Sequence, residues 1–204
     1  MMDNQNADEE IIITQGFHPD EHSCVAGLFW NAFQSKLWPI MRPEAKAQTF
    51  IEAALNPAFA LAARNKHGAL LGVAGFKTAS GALVGGGLQD LAKVYGALGA
   101  IWRGGLLGLL ERDLNEDVLL MDGIFVAQNA RGMGVGTALL RAIKREALLR
   151  GLHAVRLDVI DTNPRARALY EREGFVATGI EHLGVLRHLF GFRSATKMIC
   201  VVAA

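Results

Sequence analysis

The feature that most constrains the fold is a strand, a glycine-rich loop and a helix in direct succession. Val118 to Val126 has the apolar composition of a buried strand, Arg131 to Gly136 is the loop, and Gly136 to Arg150 has an amphipathic helical repeat. The first turn of a helix leaves amide N–H groups unpaired and carries a partial positive charge, and glycines allow an anion to approach. The sequence therefore predicts an anion-binding loop, although a tight turn without a ligand would explain the glycines equally well.

Two common phosphate-binding motifs do not fit this loop. No Gly-x-x-x-x-Gly-Lys-Ser/Thr run of a P-loop occurs in the chain. The spacing Gly132-x-Gly134-x-Gly136 differs from the Gly-x-Gly-x-x-Gly of dinucleotide sites, and the loop lies late in the chain. A nucleotide-dependent enzyme is thus a weaker interpretation.

Further strands and helices are predicted on both sides of this unit. Apolar alternation and turn residues predict strands at Glu10–Gln15, Phe59–Ala63, Ala69–Lys77 and Ala154–Asp161, and two more between Phe175 and Val202. Helical periodicity predicts helices over Asp20–Ser35, from Pro43 to Asn56, and from the N-cap Asn163 to Gly174.

Residues Gly81 to Glu116 interrupt the strands with a helical segment. Apolar residues recur there at intervals of three or four residues, as on one face of a helix. A second stripe, of small residues (Gly96, Ala100, Gly104, Gly108), follows another face. Small residues permit close helix approach, so we consider a core or lid element, a homodimer face and a membrane contact. The stretch Val94–Leu110 is short for a membrane span and contains Arg103, so no membrane association is expected.

Length and charge narrow the class of protein. A chain of 204 residues suits one domain, with residues 1–9 expected to fray because they are polar and acidic. A net charge of +1 argues against a nucleic-acid surface. Between Arg131 and Glu173, nine basic residues face five acidic ones, which favours a polyanionic ligand. Cys24 and Cys200 lie far apart, which indicates a reducing, cytoplasmic compartment.

Three segments together resemble the GNAT superfamily of acyl-CoA-dependent N-acetyltransferases. They are Ile124-Phe125-Val126, the loop Arg131–Gly136, and Asn163 to Phe175 with the sequence NPRARALYEREGF. The resemblance covers about residues 119–178. It implies an α/β (α+β) fold, a single domain with a central, mixed, mostly antiparallel twisted sheet flanked by helices, to which 81–116 would be an extra helical insertion.

The resemblance also implies how acetyl-CoA would be held, with no metal. The loop would hold the pyrophosphate through the backbone of Arg131, Gly132, Met133, Gly134, Val135, Gly136 and Thr137. Ile124, Phe125 and Val126 would pair with the pantetheine arm as an added strand does, and the Val126 N–H could stabilise the oxyanion. Asn163 and Ala166 would border that arm, and Asn163 would serve equally well as a helix N-cap.

Two residues are the candidates for catalysis in this resemblance. Tyr170 would be the general acid for the leaving thiolate, although a packing aromatic is the alternative role. Asp122 would be the base that deprotonates the amine, placed with Ile124 and Val126 on one strand face. A buried structural Asp, or a water chain in its place, is the alternative. His18 and His22 form no convincing metal pair because Pro19 lies between them.

Two classes of function follow. The first is an N-acetyltransferase that moves an acetyl group from acetyl-CoA to a primary amine of a small molecule or peptide. The second is a non-catalytic acyl-CoA-binding sensor or interaction module with the same fold, for which the apolar segment 81–116 would be a partner surface.

Overall fold

A computed structural model describes residues 10–109 and 117–202 of the chain. The strands are β1 (Ile12–Gln15), β2 (Ala60–Arg64), β3 (Leu70–Thr78), β4 (Gly81–Ala82), β5 (Val118–Val126), β6 (Ala154–Ile160), β7 (Val176–His182) and β8 (Ser194–Val201). The helices are α1 (His22–Met41), α2 (Glu44–Ala54), α3 (Leu88–Tyr95), α4 (Ala97–Gly108), α5 (Val135–Leu149), α6 (Pro164–Arg172) and α7 (Arg187–Phe190).

The strands form one mixed sheet in the order β1-β2-β3-β5-β6-β8-β7, with β4 paired to β3. Neighbouring strands are antiparallel except β5 and β6, which are parallel. Helices flank the sheet: α5 contacts β1, β2, β3, β5 and β6, whereas α1 packs on β5 and on α2. The predicted mixed, mostly antiparallel sheet flanked by helices is confirmed.

Local sequence signals explain most of the element ends. The Asn163 side chain accepts a hydrogen bond from the Ala166 N–H at 3.2 Å, and Pro164 occupies the first turn of α6, as expected for a capped helix. Gly151, with φ of 71°, follows α5 in the left-handed conformation that commonly ends a helix.

Two helix predictions need correction. Helix α1 continues past Ser35 through Pro39 to Met41, although proline lacks the N–H for the helical bond. The helical stripe of the 81–116 segment is not continuous, because Gly96 adopts φ of 74° and separates α3 from α4. Residues 110–116 of that segment, and the expected frayed start 1–9, lie outside the described residues.

The core is a cluster of apolar side chains between the sheet and its helices. Its largest fully buried members are Trp30, Phe76, Phe190, Ile40, Met41, Ile51, Leu83, Leu119, Met121, Leu139, Leu140 and Ile143. Cys200 is buried and Cys24 exposed, and both are free thiols. Among the described residues, none of the helices has the length and apolar character needed to span a membrane.

Candidate active site

The sheet has an open wedge between β5 and β6. These strands pair only at their beginnings, where Val118–Leu120 faces Ala154–Arg156. Beyond that point β5 stays paired with β3 as far as Val126, and β6 stays paired with β8 as far as Ile160. Beyond Leu120 and Arg156 the facing edges of the two strands are therefore no longer hydrogen-bonded to each other. An open strand edge of this kind can pair with an extended ligand.

The backbone of Val126 faces this wedge. The next residue, Ala127, donates its N–H to the carbonyl of Leu71 in β3 at 2.9 Å. Because successive amides of an extended strand point in opposite directions, the Val126 N–H points away from β3 and toward β6. A polar donor thus lies at the wide end of the wedge.

The predicted loop lies between that end of β5 and helix α5. Gly132 and Gly134 have φ of 87° and 83°, which glycine adopts without strain. Gly134 is the N-cap of α5 and offers no side-chain acceptor, and the Ala138 N–H donates to the Gly134 carbonyl at 3.0 Å. The N–H groups of Val135, Gly136 and Thr137 therefore precede the first helical hydrogen bond and are left for an anion.

Side-chain burial in the loop separates an anchor from an exposed rim. Val135 is buried in the core, whereas Arg131, Gly132, Met133 and Gly134 are exposed. The loop thus presents its backbone and a guanidinium to solvent, while Val135 fixes its position.

Helix α6 contacts the start of α5. A Cβ added to Gly136 would lie 3.0 Å from the Leu169 Cδ2 atom, so the absence of a side chain allows this approach. At the other end of α6, Glu173 forms ion pairs with Arg141 and Lys144 of α5, at 3.2 and 3.5 Å. Leu169 and Glu173 were not candidates in the sequence, because contacts between two helices leave no local pattern.

Tyr170 follows Leu169 and is only 8 % exposed. Its ring packs against Phe175, with centroids 6.0 Å apart. Burial raises the pKa of the Tyr170 hydroxyl to about 12, so the phenol stays protonated through the neutral range. A residue with both a packing role and a retained proton can donate a hydrogen bond to developing negative charge.

Asp122 lies at an irregularity in β5. Gly75 is opposite Gly123, but the next residue of β3, Phe76, is opposite Met121, so the register shifts at Asp122. Such a bulge adds one residue to the strand, but burial still alternates beyond it: Gly123 and Phe125 are buried, whereas Asp122, Ile124 and Val126 are half-buried, as expected if these three share a face. The half-buried Asp122 carboxylate belongs near the narrow end of the wedge, about 13 Å along the strand from Val126.

The helix α1 side of β5 is covered by aromatic rings. Phe29 and Phe33 contact Phe125 with centroids 5.7 and 6.3 Å apart. A Cβ added to Gly123 would come within 2.3 Å of the Phe33 ring, so this glycine makes room for Phe33. Phe29 and Phe33 lie four residues apart in the predicted helix Asp20–Ser35 and therefore on one face, but the sequence does not identify the strand that they cover.

Two large cavities lie outside the wedge, and neither is lined by residues of β5 or β6. One of about 620 Å³ is bordered by β1, the loop that follows it and Arg64. The other, of about 630 Å³, lies between α1, α2 and the pair α3 and α4. In the described part of the chain no group of three or more His, Cys, Asp or Glu side chains is close enough together to bind a metal ion.

Comparison with known proteins matches this chain to one family. The acetyltransferase (GNAT) family model matches residues 27–175. "Probable N-acetyltransferase camello" from Xenopus tropicalis is 36 % identical over 75 residues, which are 37 % of this chain and 34 % of that protein. The match therefore spans about a third of this curated relative.

Solved structures share the fold at low sequence identity. A GCN5-related N-acetyltransferase from Kribbella flavida gives a TM-score of 0.60 at 16 % identity, covering 94 % of this chain and 97 % of that one. Ard1 from Thermoplasma volcanium gives 0.60 at 15 % identity, covering 95 % and 99 %. At such identities the likeness concerns the fold alone.

Proposed function

The chain belongs to the GNAT family of acetyltransferases, and we propose that it moves an acetyl group from acetyl-CoA to a primary amine of a small molecule or peptide. The observation that carries the proposal is the open wedge between β5 and β6, whose wide end meets the uncapped start of α5. A strand edge followed by an anion-binding helix start suits a ligand that is an extended amide chain joined to a pyrophosphate.

In this proposal the loop and the strand edge divide the coenzyme between them. The loop backbone from Gly132 to Thr137 holds the pyrophosphate, chiefly through the N–H groups of Val135, Gly136 and Thr137 that precede the first helical hydrogen bond, with Arg131 adding charge. The exposed backbone edge of Ile124–Val126 pairs with the pantetheine amides. Asn163 and Ala166 border the same arm. The side-chain oxygen of Asn163 accepts from the Ala166 N–H, which leaves the side-chain NH₂ group of Asn163 to donate.

The proposed reaction is direct attack on the thioester. The amine nitrogen forms a bond to the acetyl carbonyl carbon, the carbon–sulfur bond breaks, and the pair of electrons leaves with sulfur. The proton that the nitrogen loses as the amide forms passes to water. The Val126 N–H stabilises the oxyanion that forms before that bond breaks. Tyr170 donates a hydrogen bond to the leaving sulfur. Since a thiol has a pKa of about 8.5, complete proton transfer from a phenol of pKa about 12 is uphill, so we assign Tyr170 stabilisation of the thiolate.

A primary amine with a pKa near 10 arrives protonated at neutral pH and must lose a proton first. We assign this step to Asp122. With about 13 Å of strand between Asp122 and Val126, the proton passes through intervening water rather than by direct contact.

The proposal is tested by release of CoA from acetyl-CoA in the presence of amines of different size and charge. The wild type should release CoA only with an amine. Asp122→Asn should lower kcat/KM about a hundredfold at neutral pH, and the loss should shrink as the pH approaches the pKa of the amine. The exposed Asp20 lies away from β5, so Asp20→Asn should keep wild-type activity.

Two other results would reject parts of this proposal. A pH-independent defect in Asp122→Asn would remove its role as a base. Tight binding of acetyl-CoA with no CoA release across the whole amine panel would favour the sensor or interaction module, for which the exposed apolar residues Leu98, Ile101 and Trp102 of α4 would be the contact surface.

A further inference from the structure

The cavity of about 630 Å³ has an unusual lining. Helices α1 and α2 contribute one wall, and α3, α4 and the loop before them contribute the other. Every described residue that lines it is apolar or a glycine, and no charged or polar side chain is among them. Its volume is in the range of small-molecule sites, whereas the lining lacks the groups that would hold a charged or strongly polar ligand.

This cavity is adjacent to the proposed acetyl position. Phe29 lines the cavity and also packs edge to face against Phe125, with ring centroids 5.7 Å apart. Phe125 directly precedes Val126 on β5. One layer of aromatic side chains therefore separates the cavity from the strand whose backbone edge is open.

The rim of the cavity leaves apolar side chains in water. Leu88 of α3 and Ile101 of α4 line the cavity and are 58 % and 66 % exposed. A hydrocarbon group entering between α1 and the α3–α4 pair would cover both and gain hydrophobic energy, whereas a cationic or anionic group would lose its hydration without compensation.

Glycines keep the space open. Gly105 lines the cavity, and a Cβ added to it would meet no atom within 4 Å. Its neighbour Gly104 allows α4 to approach α3, because a Cβ there would lie 2.4 Å from the Leu88 Cδ2 atom. A larger side chain at position 105 would thus extend from the lining of the cavity into open space, without displacing the helix backbone.

We propose that this cavity binds the hydrocarbon part of the acceptor, so that the preferred substrate is a primary amine with one bulky aliphatic or aromatic group and no second charge. The inference rests on the acetyltransferase function proposed above. The amine reaches the thioester past Phe29, while its apolar group stays between α1 and the α3–α4 pair.

Binding and turnover of linear alkylamines from propylamine to octylamine test this inference. Calorimetric titration into the protein saturated with CoA should show Kd falling about fourfold per added methylene until the cavity is filled, because each buried CH₂ contributes about 0.8 kcal/mol. A diamine as long as octylamine should bind at least tenfold more weakly than octylamine, since its second ammonium would enter the apolar lining.

Two glycine variants separate the cavity from general effects on folding. Gly105→Leu should raise the Kd for octylamine at least tenfold. The Kd for propylamine and the KM for acetyl-CoA should stay unchanged. Gly27→Leu is the matched control, because Gly27 lies inside α1, has open space at its Cβ and does not line the cavity. In this variant the Kd should depend on alkylamine chain length as it does in the wild type.

The outcomes distinguish this inference from the enzymatic proposal. Chain-length-dependent binding that Gly105→Leu abolishes, without turnover, would support the cavity and reject the transferase. Turnover of amines with no dependence on chain length, or with a preference for diamines, would overturn the apolar-acceptor inference alone. If Gly105→Leu instead altered selectivity among longer acyl-CoA donors, the cavity would be an acyl site and the inference would fall.

Discussion

Among single residues, Gly134 combines a conformational requirement with the proposed chemistry. Its φ of 83° lies in the left-handed region, and it is the N-cap of α5 in the loop assigned to the pyrophosphate. Gly151, with φ of 71°, lies just beyond the other end of the same helix. An added Cβ meets no atom within 4 Å at either position.

We expect Gly134→Ala and Gly151→Ala to lower the free energy of unfolding similarly, by about 1–2 kcal/mol, because alanine is strained at positive φ. Only Gly134→Ala should also raise the Kd for acetyl-CoA, by about tenfold or more, because the loop backbone shifts. Urea denaturation and calorimetric titration measure the two effects. Equal affinity in both variants would remove the loop from the coenzyme site.

For Tyr170, packing and catalysis can be separated by Tyr170→Phe. The phenylalanine keeps the contact with Phe175 but loses the hydroxyl, so kcat should fall about tenfold to a hundredfold while the Kd for acetyl-CoA stays close to wild type. Steady-state kinetics with saturating amine provide the measurement. An unchanged kcat would leave Tyr170 with packing alone.

The pKa of Tyr170 predicts a stability change in alkali. Burial raises that pKa from 10 to about 12, so the folded state retains a proton that the unfolded state loses. Its contribution is complete below pH 10 and is lost between pH 10 and 12. Over this interval the free energy of unfolding of Tyr170→Phe should fall less than that of the wild type. Parallel curves for the two proteins would contradict the raised pKa.

At the scale of elements, Arg103 fastens α4 to the end of α1. Its guanidinium stacks on Tyr95 and Trp102, at 4.0 and 4.2 Å from the ring centroids, and donates to the Gly99 and Arg42 carbonyls, both at 3.3 Å. A planar group with several donors is required for this set of contacts.

We expect Arg103→Lys to lower the free energy of unfolding by about 1–2 kcal/mol, because lysine cannot stack and donate in this fork geometry. Arg145 is exposed on α5, and Arg145→Lys should change stability by no more than about 0.5 kcal/mol. Urea denaturation of both variants checks the difference. Equal effects would mean that Arg103 does not secure α4.

Only part of the small-residue stripe in the 81–116 segment packs within the chain. Gly104 and the buried Ala100 support close packing of α4 within the chain, whereas Gly96 ends α3 and a Cβ on Gly108 meets nothing nearby. Other apolar side chains of α4 are exposed to solvent, so the prediction that this helix forms a homodimer face still stands as a prediction.

At the scale of the whole molecule, an ion pair links the start of α1 to the sheet. The two terminal guanidinium nitrogens of Arg64, at the end of β2, donate to the two carboxylate oxygens of Glu21, and the contact between Nη2 and Oε2 is 2.6 Å. The two side chains are only 10 % and 18 % exposed. The hydrogen bond from Arg64 lowers the pKa of Glu21 to about 2 from 4.5.

This pair predicts how the protein responds to acid. A carboxyl with a lowered pKa stabilises the fold above pH 4.5, and that contribution, about 3 kcal/mol, is lost as the pH falls toward 2. Glu21→Gln should be less stable at neutral pH and should lose less on acidification, as followed by urea denaturation. Exposed Glu181 is the control, and Glu181→Gln should follow the wild type. We infer that the chain unfolds as one domain, and a biphasic denaturation curve would contradict this inference.

Much of the fold could be predicted because its signals are local. The bounds of β5, the start and end of α5, and the Asn163 cap followed by Pro164 depend on residues within about four positions of each other. The same property limited the predictions: periodicity extended the helical stripe through Gly96 and ended α1 before Pro39, since it contains no information on the packing that decides both.

The sequence by itself determined the order of elements, the glycine loop and its helix, and the residue types of the proposed site, because short-range periodicity, caps and turn residues encode them. Only the tertiary structure decided that β5 and β6 separate after Leu120, that the register shifts at Asp122, that Leu169 lies against Gly136, and that α1 to α4 enclose an apolar cavity. These features arise between segments distant in the chain, where contacts depend on how whole elements pack.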